Sequence, residues 1–334
     1  MTNADATAAT GSRAPASGVA IWSAMWIVYV VWGSTYLAIA VAIESMPPLI
    51  ALGTRFLAAV TVLAAFLAVR RGPRSLLVPW PELRGAMVVG TLLLGVGMGV
   101  LTLAERYVPS GVAALIVAIM PLWVVLLRAV TGDRPPLVTW LGVAVGIAGI
   151  AVLVAPGAHG SGAGSAQRTI WSLAMVVSTA CWAYGSFLQP RIPVPRDPLV
   201  LSFYEMLTGG VILVTVGLLR GEHLQAMATA TTRSWLGWSY LVVVGSLVAY
   251  TAYVWVVGNA PLSLVATYAY VNPVVAVLLG WWVLGEPLTV GLLIGGAIVV
   301  VGVMLVVSAE RLARRNAASS VEERLLTETS QAER

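Results

Sequence analysis

Long runs of apolar residues, each followed by a short polar segment, repeat along almost the whole chain. A helix rises 1.5 Å per residue, so about 20 apolar residues are needed to cross the hydrocarbon core of a bilayer. We expect each run of about this length to form one transmembrane helix. The runs cover residues 21–43, 48–69, 85–104, 111–127, 137–155, 170–189, 198–219, 236–257, 263–284 and 288–308. The pattern therefore predicts an all-α polytopic membrane protein with ten transmembrane helices.

The composition agrees with a lipid environment, because 59% of the 334 residues are hydrophobic and only 10% are charged. Arginines are distributed unequally between alternate loops, and the side that is richer in arginine is expected to be cytoplasmic. This bias places both termini in the cytoplasm, with residues 1–20 and 309–334 as tails. The richer side holds Arg13, Arg70, Arg71, Arg74, Arg84, Arg128, Arg134, Arg191, Arg196, Arg311, Arg314 and Arg315, and the other side holds Arg106, Arg168, Arg220 and Arg233.

The two halves of the chain resemble each other at an offset of about 150 residues. A linker rich in glycine and serine, 156–169, separates the first repeat, 21–155, from the second, 170–308. Gly33 and Ser34 align with Gly185 and Ser186, and Pro121 aligns with Pro273. Because each repeat has five spans, the two repeats must enter the membrane in opposite senses. This arrangement is the inverted repeat found in many secondary transporters.

Several motifs resemble those of a known family. They are Trp32-Gly33-Ser34-Thr35-Tyr36, Pro47-Pro48 followed by Arg55-Phe56, Tyr270-Val271-Asn272-Pro273, and Gly285-Glu286-Pro287. From about residue 22 to residue 308, the chain resembles bacterial drug/metabolite transporters built from two EamA domains. The resemblance implies an inner-membrane carrier of ten helices, with a central cavity between its halves. Such carriers commonly export amino acids or other small metabolites, and the motifs do not identify the solute.

Two charged residues, Arg55 and Glu205, lie inside the predicted spans at nearly equivalent places in the two repeats. An ionised side chain deep in a bilayer usually faces a cavity or a partner. Arg55 either binds a carboxylate of the solute or extends its guanidinium to the outer headgroups. Glu205 either couples transport to protons or is a neutral acid bonded to a neighbouring helix. Because the repeats are inverted, we expect the two to differ in depth by roughly 10 Å, too far for a simple ion pair.

Polar and aromatic residues form stripes at helical spacing on several spans, and such stripes in lipid are expected to face the interior of the bundle. Together they predict a cavity with aromatic walls that suits an amphipathic, zwitterionic or cationic solute. The alternative is that these residues only pack one helix against another. With Arg55, the predicted substrate-binding residues are Trp32, Tyr36, Met98, Trp182, Ser186, Tyr250, Tyr253, Tyr268 and Asn272.

Pro121 and Pro273 lie deep in equivalent spans, where each removes one backbone hydrogen bond. Each is either a hinge beside the cavity or a static kink. The predicted coupling and gating residues are Glu205, Pro121 and Pro273. Glu44, Glu105 and Glu286 lie at outer helix ends, where the default expectation is a solvated or capping carboxylate.

Enzyme chemistry finds little support in the sequence. The two histidines, His159 and His223, lie in loops without metal-ligand spacing, and no phosphate-binding loop or nucleophile elbow is present. We therefore expect no catalytic residues, no metal and no cofactor. The expected partners are a small solute and the lipid bilayer, without nucleic acid, and a homodimer is left open. A secondary exporter is favoured, and the alternatives are a channel or a non-transporting scaffold or intramembrane enzyme.

Overall fold

The computed structural model describes residues 17–132, 134–155, 165–260, 262–265 and 267–332, and the side chains of some residues within these ranges, most of them after 315, are not described. In the described residues, the secondary structure is helical, with no strand. The long helices, in chain order, are α1 (Gly18–Ala42), α2 (Pro48–Arg71), α3 (Trp80–Ala104), α4 (Ser110–Val130), α5 (Leu137–Val154), α6 (Ser165–Arg191), α7 (Pro198–Leu219), α8 (232–259), α9 (Tyr268–Leu284) and α10 (Val290–Ala332).

Eight stretches in the described part of the chain are long and apolar enough to cross a membrane. They are the helices α1 to α7 and the first part of α10, Val290–Ala313. Helix α9 is apolar but has only 17 residues, and a short helix, Leu262–Val265, precedes it. The all-α membrane fold predicted from the sequence is therefore confirmed.

Two predicted boundaries differ from the structure. Helix α6 begins at Ser165, so it includes the last five residues of the predicted linker, while 156–164 lie outside the described residues. Helix α10 continues to Ala332, well beyond the predicted end of the last span at residue 308. Hydrophobicity marks the part of a helix that contacts lipid, whereas a helix can continue into water wherever its backbone bonds remain unbroken.

Two helices contain a π-helical segment at equivalent positions, Thr91–Met98 in α3 and Leu241–Val248 in α8. Helix α4 is interrupted at Ala118 and Ile119, just before Pro121, so this proline begins a new helical segment. By contrast, α9 continues through Pro273, and its interruption lies before Tyr268. The two prolines predicted as equivalent hinges therefore have different local structures.

Among the described helices, three equivalent pairs pack across the two halves. Helices α2 and α7 meet near Gly53 and Gly210, and α5 and α10 meet where Gly146 contacts Gly302. In both pairs, rising residue numbers on one helix contact falling numbers on the other, so the helices are antiparallel. Helices α4 and α9 pair in the same sense, and α1 contacts α8 and α9 as α6 contacts α3 and α4. Most of the packing therefore joins one half to the other.

Candidate functional site

A cavity of about 1080 Å³ lies between the two halves. Side chains from both repeats line it, and its volume suits a small organic solute. The lining includes these residues that the sequence pointed to: Trp32, Tyr36, Arg55, Met98, Pro121, Trp182, Ser186, Glu205, Tyr253, Tyr268, Asn272 and Pro273. The side chain of Tyr250 lies outside the described residues.

Three aromatic rings form one wall of the cavity. The ring centroid of Trp32 lies 4.9 Å from that of Tyr253 and 5.2 Å from that of Tyr268, and the two tyrosine rings are 5.9 Å apart. Trp32 meets Tyr268 edge to face, an arrangement that fixes both rings. Because α1 contacts α8 and α9, this aromatic wall brings both halves of the chain together.

Arg55 is the one charged residue of α2 that lines the cavity, and it is only 5% exposed. Its Nη2 donates to Ser246 Oγ at 3.4 Å, and its Cζ lies 5.1 Å from the ring centroid of Phe56. Nε and Nη1 are buried and have no acceptor among the described residues. Because a buried guanidinium is stable only when its donors are satisfied, this geometry favours an anionic group of a solute as their acceptor.

The π-helical segment of α8 positions the acceptor that Arg55 contacts. Ser246 Oγ donates to the carbonyl oxygen of Leu241, five residues earlier, at 3.0 Å. At Gly245, an added Cβ would lie 3.6 Å from Arg55 Nη2, an ordinary contact distance, so this residue also lies beside the guanidinium. Sequence reasoning missed this local structure, because a π-helix has no distinct hydrophobic pattern.

Glu205 of α7 faces the same cavity, and its buried Oε1 has no partner among the described residues. Gly90 of α3 packs against its backbone, where an added Cβ would lie 2.7 Å from the Glu205 Cα. Gly210 of α7 packs between residues 53 and 57 of α2 and is therefore level with Arg55. Glu205 therefore lies about five residues from the level of Arg55, or roughly 8 Å at 1.5 Å per residue. No ion pair joins Arg55 and Glu205 in the described part of the structure.

The cavity extends to the side predicted to be cytoplasmic, at an opening that we call the inner mouth. An ion pair between Arg128 of α4 and Glu310 of α10 lies there. The inner mouth is formed by Arg128, Gln189, Pro198, Glu310, Arg311 and Arg315. Its residues were missed as site residues, because the arginine count that predicted orientation gave no sign that these arginines reach the cavity.

At the opposite end, two carboxylates of the second half bind helix starts of the first half. Ile50 N–H donates to Glu222 Oε2 at 2.9 Å and Leu49 N–H donates to Oε1 at 3.3 Å. Ser110 N–H donates to Glu286 Oε1 at 2.7 Å and Gly111 N–H donates to Oε2 at 3.2 Å. We call these contacts, which occupy the end predicted to face outside, the outer seal.

Two glycines with positive φ aim the carboxylates of the outer seal. Gly221 (φ 84°) follows α7 and Gly285 (φ 67°) follows α9, and each directly precedes its glutamate. This backbone conformation is easy only for glycine. The repeated Gly-Glu pair after a span is a signal that could have identified Glu222, which the sequence analysis did not single out.

The sequence predicted a solvated or capping carboxylate at each of the three outer glutamates, and the structure agrees for two of them. Glu286 caps a helix, as described above, and Glu44 forms an exposed ion pair with Arg233 at 3.3 Å. Glu105 is instead 9% exposed, and neither carboxylate oxygen has a partner among the described residues. The expectation of a solvated or capping carboxylate is therefore wrong for Glu105, because tertiary packing covers the end of α3.

A metal site finds no support in the described part of the chain, where no group of three His, Cys, Asp or Glu residues could hold an ion.

The model of one protein family, described as the EamA-like transporter family, matches residues 20–155 and again residues 169–308. The chain is 38% identical over 271 residues to the "uncharacterized inner membrane transporter YedA" of Escherichia coli (strain K12), covering 80% of this chain and 84% of that protein. It is 28% identical over 303 residues to the "probable terminal-alkyne amino-acid exporter" of Streptantibioticus cattleyicolor, covering 90% and 97%. A crystal structure with 22% identity covers 90% of this chain and 99% of its own, with a TM-score of 0.56, and shows a shared fold.

Proposed function

The chain belongs to the EamA-like transporter family and is a multi-pass inner-membrane transporter, and we propose that it is a secondary carrier that exports a small metabolite by alternating access. In this proposal, all ten predicted spans cross the membrane as two inverted repeats, 21–155 and 170–308, with both termini cytoplasmic. As the halves move, the cavity opens at one end while it closes at the other, and the two ends alternate.

The antiparallel packing of equivalent helices supports the inverted repeat. Helices α2 and α7, α4 and α9, and α5 and α10 each pair across the halves in opposite directions. Two copies with the same orientation would instead place equivalent helices parallel. The outer seal joins the two halves at one end of the cavity, whereas exposed residues such as Arg311 line its other end, and this asymmetry supports alternating access.

The single observation that carries the proposal is the buried Arg55 facing the cavity with two unpartnered donors. We assign Arg55 to the carboxylate of the solute and Glu205 to its cationic end. The aromatic wall would contact the apolar part or contribute cation–π contacts. This chemistry fits an amino acid or another amphipathic solute, and the name of the Streptantibioticus relative points to the same class.

The test is counterflow in proteoliposomes loaded with a mixture of amino acids and presented with each one in radiolabelled form. We expect saturable exchange with at least one of them. Arg55→Gln should reduce this exchange by about 30-fold or more, since a lost charged hydrogen bond to a bound group costs about 2–5 kcal/mol. Arg220→Gln, which changes an exposed arginine at the end of α7, should retain it.

Each result separates the alternatives. A channel would give flux without counterflow, and a non-transporting protein would give neither. If Arg55→Gln lowered the amount of folded protein but left the exchange per folded molecule unchanged, Arg55 would be a packing residue and its assignment would be wrong.

A further inference from the structure

Glu105 lies at the outer end of the cavity, one turn beyond its wall. It forms the C-terminal cap of α3, where its N–H donates to the carbonyl oxygen of Leu101 at 3.0 Å. Leu101 lines the cavity, whereas the Glu105 carboxyl is buried behind it, with both oxygens unpartnered in the described part of the structure. An ionised carboxylate in this position would lose its hydration and gain no hydrogen bond in return.

The neighbouring groups make the charged form of Glu105 still less favourable. Glu286 interacts electrostatically with it, and on the cavity wall Tyr36 of α1 lies within range of the same carboxyl. Of the arginines at this end, Arg106 beside Glu105 is exposed, and Arg168 of α6 is half-buried and donates to the carbonyl oxygen of Tyr107. Burial first, and Glu286 second, raise the pKa of Glu105 well above its ordinary value.

The two carboxyl groups, Glu105 and Glu286, have different hydrogen-bonding environments. Glu286 accepts hydrogen bonds from two N–H groups at the start of α4, where the helix dipole favours a negative charge. Glu105 accepts none. A buried acid without hydrogen-bond donors beside a second carboxyl group is favoured in its neutral form, and this describes Glu105.

We propose that Glu105 is a proton-binding site of the transport cycle, which holds one proton while the outer seal is closed. When Glu286 leaves the start of α4 and water enters, the Glu105 O–H bond breaks, the proton passes to water and a hydrated carboxylate remains. Closure reverses the step. Its place in a transport cycle rests on the proposed function, but the protonation itself can be measured without any solute.

The sign of the pH dependence follows from this exchange. The sealed state binds one proton more than the open state, so acidification favours the sealed state and alkalinisation favours opening. With one exchanged proton, the ratio of open to sealed protein changes by at most about tenfold per pH unit.

The experiment measures access to the outer end of the cavity by cysteine labelling. Ile39→Cys, at a buried cavity-lining position of α1, is prepared with Cys181→Ser, reconstituted, and exposed outside to a membrane-impermeant maleimide. The rate is divided by that of a free thiol at each pH, because thiolate reactivity itself rises with pH. We expect the corrected labelling to rise with pH.

Adding Glu105→Gln to the Ile39→Cys, Cys181→Ser protein should give slow labelling that no longer depends on pH, since the amide resembles the neutral acid. Glu105→Asp should retain the pH dependence and shows that the position tolerates an acid in a folded protein. Glu44→Gln, which changes an exposed outer acid, is the matched control and should behave as the parent. If the parent shows no pH dependence, or if Glu105→Gln retains it, the proposal is wrong, whatever the counterflow assay shows.

Discussion

The two ends of the cavity are built from different kinds of polar contact. At the outer seal, two carboxylates bind backbone N–H groups at helix starts, and each carboxylate is provided by the other half of the chain. At the inner end, two ion pairs between side chains join the halves, Arg128–Glu310 and Arg71–Asp197, and the side chains of the second pair are 46% and 32% exposed. A backbone N–H is held in place by its helix, whereas an exposed pair must order two flexible side chains. The difference suggests that the outer end closes by fixed geometry and that the inner end depends on weaker charge contacts.

The largest effect is expected from removing both charges of the outer seal. In the Ile39→Cys, Cys181→Ser background, Glu222→Gln with Glu286→Gln should raise outside labelling by about 100-fold, because charged hydrogen bonds contribute about 1.5–3 kcal/mol each. Glu44→Gln, at the same end but outside the seal, should change labelling less than about threefold. Unchanged labelling in the double variant would show that these contacts do not hold the outer end closed.

A smaller effect is expected from crowding one carboxylate of the seal without removing its charge. At Gly280, an added Cβ would lie 2.4 Å from Glu286 Oε2 and 2.8 Å from Ser110 Oγ. Gly280→Ala should therefore displace Glu286 and raise outside labelling by about tenfold, equivalent to about 1.4 kcal/mol. At Gly95 the nearest atom to an added Cβ is 3.4 Å away, so Gly95→Ala is the control. Equal labelling of the two alanine variants would contradict the role of Glu286.

A change at the inner mouth should affect solute capture rather than closure of the outer end. Arg128→Gln removes one positive charge from the mouth and is expected to raise the half-saturating solute concentration in counterflow by about two- to fivefold. The effect is limited because Glu310, paired with Arg128, already offsets part of this charge. Glu310→Gln should not raise that concentration. A large change in outside labelling of Arg128→Gln would overturn the division of roles between the ends.

The smallest effect is expected at the exposed pair between Arg71 and Asp197. Arg71→Gln should change the free energy of unfolding by less than about 1 kcal/mol, with the difference reduced further at high salt. Thermal unfolding at two salt concentrations measures it. Asp197→Ala should destabilise more, because Asp197 also accepts a hydrogen bond from Leu199 N–H at the start of α7.

Hydrophobic runs predicted the membrane helices because the bilayer imposes one length on every span. The same constraint explains why the predicted cavity residues could be selected, since a polar side chain such as Glu205 cannot remain in lipid without cost. Neighbouring Arg55 and Phe56 were read from a motif, and both line the cavity.

Other features could not be predicted because they depend on contacts between distant parts of the chain. Burial of Glu105 comes from packing at the end of α3, and the sequence around it looks like an ordinary polar turn. The capping of Leu49 and Ile50 by Glu222 joins residues 172 or more positions apart. The interruption lies before Tyr268 rather than at Pro273, and a proline alone predicts only a missing hydrogen bond.

The close seam between α5 and α10 has a consequence for biosynthesis. Gly142, Gly146 and Gly149 let the backbone of α10 approach so closely that Gly302 contacts Gly146 directly. Until the last membrane-crossing segment has left the ribosome, this small-residue face of α5 lacks its partner helix and packs poorly in lipid. A chain that is truncated before residue 290 should therefore insert but fail to assemble, and quality-control proteases should remove it.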